Sequence, residues 1–189
     1  MMRPSCQFPA EIEFSTLFGG VRLRWIESVS GPKVVRIILP GNTRAERTGS
    51  PPAFSVKTVK EGRIIALISD IRSFLSGNDV KFGIEMLDLE LCRPFQRRVL
   101  LAEHAIPRGY LSTYGRIARY LGVPGGARAV GNALANNPFP LIIPCHRALR
   151  SDGDPSGFQG GREMKIQLIE MEGGRLYPDG KVQMDHLWY

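Results

Sequence analysis

The sequence predicts a mixed α+β protein. A small N-terminal sheet-plus-helix part precedes a mainly helical C-terminal part, which holds a helix-turn-helix and a cysteine-centred site. Three observations carry this reading. Residues 21–27 and 34–39 have strand character, residues 64–77 repeat apolar groups at helical spacing, and after residue 92 three short helices alternate with Gly- and Pro-containing breaks. The chain of 189 residues is 43% hydrophobic and 23% charged. That composition excludes a disordered chain, a collagen-like chain and a small disulfide-stapled scaffold.

In chain order, VRLRWIE (21–27) and VVRIIL (34–39) flank the turn signal Ser30-Gly31-Pro32 and are expected to pair as a hairpin. Residues 40–53, rich in Gly, Pro, Thr and Arg, read as an exposed loop. IIALISDIRSFLSG (64–77) reads as a helix stopped by Gly77. KFGIEMLDLEL (81–91) reads as extended. PFQRRVLLAEH (94–104) starts with Pro94, suited to a first helical position. Ser112 or Thr113 can cap the next helix, TYGRIARYLG. The connection 122–126 leads to a further helix, ARAVGNALANN, which ends at Pro138 and completes a helix-turn-helix candidate. LII (141–143) has a buried-strand pattern, and REMKIQLIEMEGG (162–174) reads as a final helix stopped by Gly173-Gly174. The predicted division is 1–89, 90–174 and a tail, 175–189.

The net charge of +7 is concentrated between residues 90 and 150, where nine Arg face two acidic residues. Guanidinium forks match phosphate geometry, so a polyanion partner and a merely solubilising surface both remain open. No stretch is apolar for long enough to span a bilayer. No secretory signal is expected at the N-terminus. Three scattered cysteines, Cys6, Cys92 and Cys145, fit a reducing intracellular compartment, cytoplasmic or nuclear/nucleoid. No metal site is expected, because none of them sits in a ligand-spaced pattern.

The chemical centre is Pro144-Cys145-His146-Arg147. A thiolate is the reactive form of cysteine, and a neighbouring His or Arg is expected to lower the thiol below its free value of ~8.5. A buried, inert cysteine is the alternative. Glu172 falls at a helix C-terminus, where the dipole disfavours a carboxylate, and His146 is its natural partner. Arg128 is equally out of place at a helix N-terminus, which invites an anion or an insertion role. Ala127, Ala129 and Gly131 form a small-residue face suited to close approach or to tight helix packing.

STYGRIA (112–118), RAVGNALANNP (128–138), NPFPLII (137–143), PCHR (144–147), SDG (151–153), GFQGG (157–161) and EG (172–173) occur together in order. This set, spanning about residues 92–174, resembles the O6-alkylguanine-DNA alkyltransferases. The resemblance implies transfer of an alkyl group from O6 of guanine in double-stranded DNA to Cys145, once per molecule and without a cofactor. It leaves O4-alkylthymine open as a second lesion, and a monomer is expected. His146 would be a general base acting through water, oriented by Glu172. Tyr114 would donate its hydroxyl toward the flipped guanine, and Asn137 would brace the turn before the active-site segment. Arg128 would fill the space left by the base, with Ala127, Ala129 and Gly131 facing the minor groove. Pro140 and Phe158 would wall the base pocket. Backbone groups of Cys145 and of 157–160, Gln159 included, would hold the guanine edge, and Arg147 belongs to the same DNA-facing motif. Ser156 stands where the family often has Gly, Phe158 where it often has Tyr, and Gln159 where a small residue is frequent. Some relatives bind zinc in the N-terminal part. Residues 1–89 contain no His and only Cys6, so zinc is not expected. A lesion-binding DNA protein without chemistry and a Cys-His hydrolase are the competing functions; the second leaves Arg128 unexplained.

Overall fold

The computed structural model describes residues 9–41 and 62–189. Cys6 and nearly all of the expected loop at 40–53 lie outside the described residues. Strands β1 (Ala10–Thr16), β2 (Gly19–Ile26) and β3 (Lys33–Ile38) form an antiparallel sheet in the order β1-β2-β3. The β2–β3 turn closes between Ser28 and Gly31, whose φ of 100° suits glycine. One face of the sheet is apolar and buried: Phe14, Val21, Leu23, Trp25, Val34 and Ile37. On β1 and β2 the alternating polar positions include Glu11, Glu13, Arg22 and Arg24, as period-two geometry requires. The sequence pattern does not announce β1, because only Phe14 in it is fully buried.

Helix α1 (Gly62–Leu75) lays Ile64, Ile68, Ile71 and Leu75 into the core, the spacing of one helical face. Residues 81–91 are not a regular strand. They run as coil, bridge β3 only at Val34–Leu87, and close in a 3-10 turn at Leu89–Leu91.

Helix α2 (Pro94–His104) begins at the expected proline. Helix α3 (Tyr114–Tyr120) is capped by Thr113, whose hydroxyl accepts from Arg116 N–H at 3.2 Å. Helix α4 (Ala127–Ala135) follows, with Gly126 at its N-cap. Val99, Leu100, Ile117, Ala118, Val130, Ala133 and Leu134 are buried where these helices meet. The side-chain amide of Gln96 donates to the Ala133 and Asn136 carbonyls and so caps the end of α4.

The expected strand at 141–143 is a buried turn. Leu141 has φ 76°, and the only pairing there is an isolated Pro140–Ile143 bridge. A 3-10 turn, Cys145–Arg147, separates this segment from a short parallel pair formed by β4 (Ser112–Thr113) and β5 (Ala148–Leu149). Helix α5 (Gly161–Met171) ends before Gly173, whose φ is 93°. The tail is ordered: Leu111 N–H donates to the His186 carbonyl at 2.9 Å, and Trp188 N–H to the Leu111 carbonyl at 2.7 Å. One continuous buried cluster runs from Phe14 of the sheet to Leu168 of α5. Among the described residues no helix is long and apolar enough to cross a membrane.

Candidate active site

The 3-10 turn holds Cys145 and His146 without the opposed directions a strand would impose. Both are buried, Cys145 at 6% exposure and His146 at 0%. Asn137 fixes the turn from below. Its amide donates to the Ile143 carbonyl at 3.1 Å and to Cys145 Sγ at 3.4 Å, while its oxygen accepts from Phe139 N–H at 2.9 Å. The Gln159 amide in turn donates to the Asn137 carbonyl. β3 meets the same segment, because Ile37 N–H donates to the Pro138 carbonyl at 2.8 Å.

His146 Nε2 lies 3.1 Å from Glu172 Oε1. Arg147 grips the same carboxylate with both arms of its fork, Nε to Oε2 at 2.8 Å and Nη2 to Oε1 at 2.7 Å, and also donates Nη1 to the Ile106 carbonyl. The phenyl rings of Phe74 and Phe158 flank the imidazole, with centroids 6.1 and 6.4 Å away. Burial alone would raise Glu172, but His146 and Arg147 outweigh it and hold the carboxyl at about 2. Burial lowers His146 below 6.5, with Glu172 opposing, so the imidazole is neutral at pH 7. An ionised Glu172 selects the Nε2–H tautomer and leaves the Nδ1 lone pair free. Nδ1 is buried with no hydrogen-bond partner among the described residues.

The thiol departs from expectation. Burial pushes Cys145 up to about 11, and its Asn137 hydrogen bond offsets only part of that. The cations beside it in sequence do not lower it, since Arg147 is occupied by Glu172 and His146 is uncharged, and the buried Lys165 opposes the rise without overcoming it. Cys145 therefore rests as a thiol and needs a base. Burial also raises the Tyr114 phenol, with a hydrogen bond from Ser156 opposing.

Cys145 opens onto a groove of about 980 Å3. Tyr114, Ala127, Arg128, Gly131, Phe158 and Gln159 line it. Three expected members are placed elsewhere. Pro140 is buried and outside the lining, Ala129 is exposed on α4 outside the lining, and Arg147 faces Glu172. Arg36 of β3 and Arg150 line the groove without a sequence pattern that marks them as ligands, and Ser156 lines it too. Ser156 holds φ 63°, steadied by its N–H donating to Asp154 Oδ1 at 2.7 Å. The sequence signal is its replacement of a habitual glycine. Glu103 and Lys165 also escape the sequence reading, although each falls on the apolar stripe of its helix.

Comparison with known proteins agrees with this geometry. The family model for the 6-O-methylguanine DNA methyltransferase DNA-binding domain matches residues 94–174. A methylated-DNA–protein-cysteine methyltransferase of Methanothermobacter thermautotrophicus is 43% identical over 137 residues, 72% of each chain. The chain belongs to the methylated-DNA–protein-cysteine methyltransferase family. A Mycobacterium bovis methyltransferase of that name is 34% identical over 162 residues, 84% of this chain and 96% of the relative. Among solved methyltransferases, the crystal structure of Mycobacterium tuberculosis OGT in complex with DNA superposes with a TM-score of 0.66 at 30% identity, covering 86% of this chain and 91% of that one.

Proposed function

We propose that this protein repairs DNA by moving an alkyl group from O6 of a guanine to Cys145, irreversibly and once per molecule. The observation that carries the reading is the hydrogen-bonded series Arg147–Glu172–His146 beneath a buried cysteine that opens onto a groove edged by Arg128. Family membership supports DNA carrying O6-alkylguanine as the substrate. A free thiol nucleophile suits a reducing intracellular compartment.

His146 Nδ1 takes the Cys145 proton, through a bridging water in the family's manner, while Glu172 stabilises the imidazolium that forms. The thiolate attacks the saturated alkyl carbon, a C–S bond forms and the C–O bond to guanine breaks. Negative charge appears on the departing base, and the Tyr114 hydroxyl supplies a proton to it. The thioether has no leaving path, so turnover stops. The target atom is out of reach in a stacked duplex, and flipping it costs a few kcal/mol. Arg128, exposed at the start of α4 and with a side chain free of hydrogen bonds among the described residues, fills the vacated stack. Ala127 and Gly131 let α4 approach the minor groove, and Phe158 walls the base. Residues 90–174 carry the chemistry, and the described part of residues 1–89, the sheet and α1, packs against them. The tail, 175–189, straps β4.

The test is intact-mass analysis after incubation with duplex carrying isotopically labelled O6-methylguanine. One labelled methyl on Cys145 is expected, and none in Cys145→Ser. Label that stays on the DNA with excess fresh protein overturns the reading.

A further inference from the structure

Two charged side chains occupy positions that their helices reserve for apolar ones. Glu103 lies on the α2 face that buries Val99, Leu100 and Ala102. Lys165 lies on the α5 face that buries Met164, Leu168 and Ile169. Both are 0% exposed. Lys165 Nζ donates to the Ala148 carbonyl at 2.6 Å, in the residue that follows the active-site turn, and stands 6.0 Å from the centre of the Tyr114 ring. Neither Glu103 oxygen has a hydrogen-bond partner among the described residues. The proposed chemistry uses neither residue.

An unsolvated carboxyl surrounded by the groups of a reaction centre acts on them through a low dielectric. The ionisable groups facing Glu103 are Lys165 of α5, Arg147 and Cys145 of the turn, Tyr114 of α3 and Tyr189 of the tail. We propose that Glu103 and Lys165 together set the net charge felt by Cys145, with Glu103 acting as a brake on thiolate formation. The inference rests on Cys145 being the alkyl acceptor. Glu103 touches no substrate and is a positioning residue.

The brake is engaged by pH. Burial raises Glu103 to about 8, against Lys165 and Arg147, and burial lowers Lys165 to about 8, against Cys145 and Glu103. Below that region the pair is a neutral carboxyl and an ammonium, with one net positive charge favouring the thiolate. Loss of a first proton brings the pair to zero, and loss of a second makes it negative, whichever residue releases first. Each step opposes ionisation of Cys145. The ordinary gain in thiolate with rising pH is therefore blunted above pH 8.

The experiment follows alkylation of Cys145 in the full chain by iodoacetamide between pH 6.5 and 10, read at the Cys145 peptide. Single-turnover repair of an O6-methylguanine duplex is measured in parallel. Glu103→Gln is expected to converge with the unmodified protein at pH 6.5 and to react up to about tenfold faster at pH 9, the consequence of a one-unit lower thiol pKa. Lys165→Met is expected to react more slowly already at pH 6.5. Should the amide impair folding, Glu103→Leu replaces it and is expected to give the same divergence. Profiles that overlay at every pH, or that differ by one constant factor, overturn the proposal. If iodoacetamide shows the split while the duplex is never repaired, the charge pair stands and the repair reading falls.

Discussion

Arg147 holds both carboxylate oxygens of Glu172 in a two-pronged grip, so the residue beside His146 works on His146's partner. The Glu172 side chain is 4% exposed and that of Arg147 11%. Removing either charge strands the other. Arg147→Ala is expected to cost about 3–5 kcal/mol of stability. It also frees the carboxylate to rotate from His146, so single-turnover repair should fall by at least about tenfold. Urea unfolding and a quenched repair assay check the two effects. An unchanged unfolding midpoint would contradict the buried-pair account.

Acid should unlock the fold in two stages. The folded state keeps His146 neutral at pH values where the unfolded chain binds a proton at ~6.5. The native state thus binds fewer protons in that window, and stability falls as pH drops below ~6.5. Glu172, held at about 2 against an ordinary 4.5, adds a second loss between ~4.5 and ~2. Urea midpoints measured from pH 7.5 downward should show the first decline, and His146→Asn should flatten it.

The buried Asn137 side chain satisfies two acceptors and one donor. Asn137→Ala leaves the Phe139 N–H without its partner, at about 1–3 kcal/mol for a donor left dry, whereas the Ile143 carbonyl keeps the Cys145 N–H at 2.8 Å. It also removes the hydrogen bond that lowers the thiol, so iodoacetamide should react with Cys145 more slowly at every pH below the thiol pKa. Differential scanning calorimetry and the alkylation rate test both statements together.

The arginines should separate by behaviour on DNA. Arg119 and Arg150 are exposed, and their side chains are free of hydrogen bonds and ion pairs among the described residues. Arg97 and Arg98 instead bind Glu90 and the Leu121 carbonyl. Arg116 binds the Tyr189 carbonyl. Alanine at 119 or 150 should weaken binding to all duplexes and reduce the salt slope by about 0.9 for each phosphate left without its cation. Arg128→Ala should slow repair of a duplex lesion while leaving reaction with the free modified base intact. Equal loss on both substrates would remove the insertion role.

The helices are legible in the sequence because their boundaries are chemical: Pro94 opens α2, Thr113 caps α3, and Gly173 stops α5. The Glu172–His146 pairing follows from a carboxylate at the wrong end of a dipole. Other features depend on tertiary context. A buried turn and a buried strand are both short apolar runs, and nothing local announces the positive φ of Leu141. An acidic thiol is the natural expectation where Arg147 and His146 adjoin it in sequence. In space one cation is committed to Glu172 and the other is desolvated to neutrality. Glu103 and Lys165 are legible in principle, as charges at stripe positions, but a charged residue in a helix is read by default as facing water.

Arg108 gathers carbonyls from two helix ends that lie far apart in sequence. It donates to Gly77 and Asn78 at the close of α1 and to Met171, the residue before Glu172. One guanidinium thus ties the end of α1 to the end of α5, the helix that precedes Glu172. Loosening the first exposes the last turn of the second. Heating should consequently erase the sheet and the repair activity in one calorimetric transition, with no surviving C-terminal fragment that still works.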